Sequence, residues 1–173
     1  LETLATRELK DNPGVINAYV ECTLLACDKK SLSVTDRSMR EAAEMISHAI
    51  EMYAWPEYYR NWGRLLGIYG ERVKDPAIIE FGIDRIKDGM DKEDASNMQK
   101  LSEYRQYLNN TQNRRRNVLS QLRLDKVEDE LSKIEDRGQE IAQDIRNDTL
   151  QFLGFFAAII TFIVTGVQFS TAL

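Results

Sequence analysis

His48 is the only histidine in this chain of 173 residues. Glu44 and Glu41 stand four and seven positions before it, on one face of a helix that holds all three. An imidazole and two carboxylates so placed could seat a metal ion. A di-iron bundle needs two Glu-x-x-His motifs, however, and neither occurs. A surface or boundary histidine is the plainer reading. Cys22 and Cys27 lie five apart in an apolar stretch, without CxxC spacing or a second pair to complete a zinc site. They read as reduced, buried thiols. No G-x-S-x-G, P-loop or Gly-x-Gly-x-x-Gly motif is present. No catalytic residue, metal ligand or cofactor is assigned.

Arg114-Arg115-Arg116 is the densest positive run. It could contact phosphates, of RNA or of lipid headgroups. Three successive helical positions point in different directions, so a solvated helix surface is the default. A net charge of −5 argues against a broadly nucleic-acid-binding surface, and direct DNA binding is not expected.

Nearly every segment that must carry these residues reads as helix. Long period-2 alternation and Asn-Gly or Asp-Gly hairpins are missing, so the expected fold class is all-α. Asn12-Pro13-Gly14 reads as a turn, followed by an apolar helix over Val15–Cys27. Asp28–Ser33 reads as a polar loop. Thr35 is the expected N-cap of a helix running to about Ala54, which Trp55-Pro56 breaks. A helix over Glu57–Val73 comes next. Asp75 then caps another that has Pro76 at its first position and ends near Gly89. From about Lys92 the chain reads as helix again, with a break at Asn109–Asn113. The aromatic cluster Tyr53, Trp55, Tyr58, Tyr59, Trp62 and Tyr69 reads first as core.

The carboxyl end differs from the rest. Thr149–Leu173 contains no charged side chain, and Leu150–Phe169 is about 20 mostly apolar residues, enough for a helix to cross the hydrocarbon core of a bilayer. All 23 Lys and Arg precede it, which places the large domain in the cytoplasm and the C-terminus outside. No signal peptide is read at the amino end. Upstream, Leu124, Val127, Leu131, Ile134, Gly138, Ile141 and Ile145 alternate spacings of three and four, an a/d heptad seam of about three heptads. Within the span, Gly154, Ala158, Thr161, Thr165 and Gln168 form a second, small-residue face, suited to helix packing or to lining a pore. The expected organisation is a cytosolic helical domain over 1–113, a heptad stalk over 114–148, and a transmembrane helix with a short tail over 149–173.

Two resemblances follow from these residues. Trp62-x-x-Leu65-Leu66-x-x-Tyr69 resembles the first helix of a tetratricopeptide repeat, with Leu66 where a glycine is usual. Ala77-x-x-x-Phe81 is similar to its second helix if the turn is one residue short, and Pro56 sits where a preceding repeat would end. Asp84 and Gly89 depart from the pattern, and at most one and a half repeats are covered. In such a hairpin small Ala77 lets two helices approach, while Trp62, Leu65 and Tyr69 fill the groove between them. The whole layout, with Leu153-Gly154-Phe155-Phe156-Ala157-Ala158-Ile159-Ile160 opening the span, resembles the small membrane accessory proteins of type VI-B CRISPR systems. That resemblance implies a homo-oligomeric, pore-like effector in the inner membrane of a bacterium, acting in antiviral defence beside an RNA-guided nuclease. It also implies a HEPN motif, an Arg followed after four to six residues by His. Arg40 is too far from His48 to meet it, so no ribonuclease activity is carried over.

The partners expected are therefore the lipid bilayer, further copies of the chain and a cytosolic protein. The alternative is a tail-anchored adaptor without conductance, which an exposed groove beside Trp62 and Tyr69 would favour.

Overall fold

The computed structural model describes residues 12–29 and 34–170, with side chains described as far as Ile163. It is all-α: α1 (Pro13–Lys29), α2 (Asp36–Met52), α3 (Pro56–Arg72), α4 (Pro76–Lys92) and α5 (Met98–Ser170). No strand occurs among the described residues. Contacts divide the chain into two compact units between Arg123 and Leu124, so Arg114–Arg116 belong to the first unit.

Local chemistry sets the helix starts. The Thr35 hydroxyl accepts from the Ser38 amide at 3.1 Å. Asp75 accepts from the Ala77 amide at 2.8 Å, with Pro76 as the first helical residue. Each side chain satisfies an amide that the first helical turn leaves without a backbone partner. Asn12 does the same for Gly14 at 3.0 Å, so the Asn12-Pro13-Gly14 turn is the cap and first turn of α1. Lys74, at φ 54°, reverses the chain between α3 and α4.

The first three helices share one core. Ile16, Val20 and Leu24 of α1 meet Met39, Ala42, Ile46 and Ala49 of α2, with Tyr58 and Leu65 of α3. These positions recur every three or four residues in α1 and α2 and two turns apart in α3, so each helix offers one stripe. Thr23 is buried beside this stripe, Tyr19 packs against it, and Val15 and Leu25 face outward. Cys22 is exposed rather than buried, and only Cys27 is partly covered. Burial pushes the Cys27 thiol up from its ordinary value.

The α3–α4 hairpin is packed through glycine. A Cβ at Gly82 would lie 2.7 Å from the Gly63 carbonyl oxygen, and one at Gly63 would collide with the Gly82 carbonyl oxygen and Ile86. A Cβ at Gly70 would lie 2.7 Å from the Ile79 side chain, and one at Gly89 2.8 Å from the Pro56 carbonyl oxygen. The expected role of Ala77 in this approach is therefore filled by glycines on both helices, and Ala77 itself is exposed. Leu65 turns away from the hairpin into the core of α1–α3.

A polar layer ties α1 and α5 to α3. Fully buried Asn61 donates to Asn17 Oδ1 at 2.8 Å and to Glu21 Oε1 at 3.1 Å. Arg60 reaches Glu103 at 3.4 Å, and the Arg64 guanidinium lies 4.0 Å from the Tyr107 ring centre. Lys100 donates to Glu57 at 2.8 Å, which holds that carboxyl below its ordinary value and raises the lysine. Tyr104 is fully buried, and burial holds its phenol well above the ordinary range.

α5 runs 73 residues without interruption, through the break expected at Asn109–Asn113. Thr111 explains this. It is buried against Gly67 and bonds the Tyr107 carbonyl at 2.9 Å, so a polar, helix-indifferent stretch is held helical by what it packs on. Among the described residues no helix is long and apolar enough to cross a membrane. The described side chains of the expected span cover Leu150–Ile163, and positions 164–173 lie outside them.

Gly63→Ala is expected to cost about 1–3 kcal/mol through overpacking against a backbone carbonyl. The check is the denaturant midpoint followed by helical circular dichroism, and an unchanged midpoint would contradict the close approach.

Candidate docking groove

Beside the Gly63–Gly82 contact, Trp62, Leu66 and Phe81 line one side of the hairpin. There they meet the outer side of α2. The result is an open groove of about 630 Å³. Its apolar floor is Trp62, Leu66 and Tyr69 from α3 with Ala77, Ile78 and Phe81 from α4. Its polar wall is Arg40, Glu44, Ser47, His48 and Glu51 from α2.

The floor is ordered by aromatic geometry. Trp62 and Phe81 stand edge to face, ring centres 5.3 Å apart at 88°. The Arg85 guanidinium lies 4.8 Å from the Phe81 ring centre and 5.6 Å from that of Trp62. A cation over the electron-rich faces favours this orientation. Phe81 nonetheless remains 45% exposed. A large apolar side chain held rigid yet open to water gains free energy when another apolar surface covers it.

The wall carries charge. Arg40 donates to the Tyr69 hydroxyl at 3.4 Å, and His48 meets Glu51 at 3.3 Å. Glu44 is exposed on the same face of α2 and makes no ion pair among the described residues. Two carboxylates thus face the groove against one arginine. His48 takes the surface position expected of it, and no cluster of three His, Cys, Asp or Glu able to hold a metal occurs among the described residues.

The other residues singled out by sequence lie elsewhere. Arg114 pairs with Glu71, and Arg115 with Glu80 at 2.6 Å. Their guanidinium groups face carboxylates of α3 and α4, where a phosphate would have to compete. Arg116 is exposed, with Asn113 at 3.5 Å. The seam residues Leu124, Val127, Leu131, Ile134, Ile141 and Ile145 are all 51–63% exposed. Gly154 and Ala158 are exposed, and the Thr161 hydroxyl bonds the Ala157 carbonyl at 2.8 Å. The side chains of Thr165 and Gln168 lie outside the described residues.

Of the aromatic cluster read as core, only Tyr58 is buried; Tyr53 and Trp55 are more than half exposed. They stack in a tilted series with Tyr58, at 6.1 and 5.5 Å between successive ring centres. Trp62 and Tyr69, whose spacing predicts packing between two helices, line the groove floor instead. The shared face of Glu44 and His48 follows from their spacing, but its place beside Arg40 and Ile78 depends on how α2 and α4 flank α3.

Searches against protein-family models, curated proteins and solved structures find no match to this chain.

Phe81→Ala, made with Trp55→Phe so that Trp62 alone emits, is expected to red-shift tryptophan fluorescence. Losing the edge-to-face pair removes ~0.5–1.5 kcal/mol. An unshifted spectrum would mean that Phe81 does not cover Trp62.

Proposed function

We propose that this chain is a self-associating, membrane-anchored helical adaptor whose groove takes the apolar face of a basic amphipathic helix from a partner protein. The groove is the observation that carries this reading. Its width is set by a rigid hairpin, its floor is aromatic and aliphatic, and its wall has a carboxylate excess. A helix laid in such a groove places apolar anchors on the floor and lysines or arginines against Glu44 and Glu51.

Two further features support the anchored, self-associating part. The exposed heptad seam leaves apolar side chains along one face of α5, where a second copy would cover them. The charge-free run Leu150–Phe169 supports a single span, and the position of every Lys and Arg before it supports a cytoplasmic helical domain.

A second reading is favoured by the small-residue face. Gly154 has no atom within 4 Å of where its Cβ would stand, and Ala158 lies one turn on. Assembled spans could pack or line a conducting path there, as in the membrane effectors of bacterial antiviral systems that the layout resembles. An RNA-guided nuclease system would then be the cytosolic partner.

Titrating the full chain in detergent, with Trp55→Phe, against a lysine-leucine amphipathic helical peptide tests the adaptor reading. The Trp62 emission should shift saturably, the affinity should weaken with added salt, and Phe81→Asp should abolish the shift. An emission that does not respond rejects a basic-helix partner. Dye-loaded vesicles carrying the reconstituted protein test the second reading separately: conductance predicts leakage above empty vesicles, and its absence leaves the adaptor.

A further inference from the structure

The exposed seam of α5 holds more information than its spacing. Successive intervals of three and then four assign Leu124, Leu131, Gly138 and Ile145 to a, and Val127, Ile134 and Ile141 to d. Every apolar d residue is β-branched. No d position holds leucine, and both leucines of the seam are at a.

Strand number depends on this pattern. In a two-stranded coil the d side chain points directly at the partner helix. A β-branched residue, confined to essentially one χ1 rotamer in a helix, fits poorly there, and leucine is preferred. Adding strands rotates the seam, so that d accepts β-branched residues and a accepts leucine. Leucine at a with isoleucine at d shifts the preference to three or four strands.

These seam residues are not taken up by a neighbouring element of the same unit: Leu124, Leu131 and Ile134 are 61, 54 and 63% exposed. Gly138 has nothing within 4 Å of its Cβ position. A seam whose shape suits several helices is thus left uncovered.

We propose that α5 assembles in parallel with two or three further copies of this chain, through Leu124–Ile145, and not as a pair. This rests on the self-association stated under Proposed function and specifies it. Flanking charges leave the direction open. In parallel, Arg123 of one copy meets Glu128 of the next, but Glu130 meets Glu135. In the antiparallel arrangement Arg123 meets Asp144 and Glu130 meets Arg137, but Glu128 meets Glu135. A common anchor at the carboxyl end selects the parallel arrangement, since all copies enter one bilayer from the same side.

Sedimentation equilibrium of the full chain in density-matched detergent measures the polypeptide mass directly. The expected value is three or four times 20.0 kDa. Twice that mass overturns the strand number while leaving self-association intact, and a monomer overturns the parent reading as well. The five-fold variant Leu124→Ile, Val127→Leu, Leu131→Ile, Ile134→Leu and Ile141→Leu inverts the pattern with a single methylene added, at position 127. It should fall to a dimer, and an unchanged mass would show that a and d do not determine strand number. Gly138→Cys, with Cys22→Ser and Cys27→Ser, tests direction. Oxidation should link copies of a parallel bundle, where the a residues share a layer. In an antiparallel one Gly138 lies level with Val127 and no link forms, which would overturn the parallel arrangement.

Discussion

The contact between the Gly63 and Gly82 backbones is the constraint from which the first unit follows. Two helices approach this closely only where neither carries a side chain. Beside this contact Trp62, Leu66 and Phe81 form an apolar surface on one side of the hairpin, and α2 bounds it, while Ile83 and Ile86 of α4 are buried. The same economy recurs at Gly67, where α5 lays Thr111 against α3, and at Gly89, which meets Tyr104 and Pro56. Interiors pack to crystal density, so a single methyl at such a point must displace something.

The opposite side of α3 is held by polar contacts. Buried Asn61 is satisfied by half-buried Asn17 and Glu21, and Arg60 and Arg64 lie against the tyrosines of α5. Buried polar groups gain modest net stability but penalise every other register, because a shift would strand them without partners. α3 is thus positioned by steric fit on one side and hydrogen bonding on the other. The groove floor it carries is fixed in place by both.

The second unit has a different economy. Among its described side chains no core forms: Leu124, Val127, Leu131, Ile134, Ile141 and Ile145 all stay exposed along one helix. A single helix has no second element of its own unit on which to lay an apolar stripe.

Helix starts were legible in the sequence because capping is local. Thr35 and Asp75 reach amides three and two residues ahead, and no distant element can alter that. The all-α class and the heptad spacing were legible for the same reason, since both are periodicities of neighbouring positions. The tertiary structure alone decided which side chains meet. Arg114 finds Glu71 at a separation of 43 residues, and Asn61 finds Asn17 at 44. It also decided that glycines, not Ala77, close the hairpin, that Cys22 and Trp55 face water, and that Thr111 keeps α5 continuous. Local chemistry fixes where a helix begins, whereas the face it buries depends on neighbours that only the folded chain brings near.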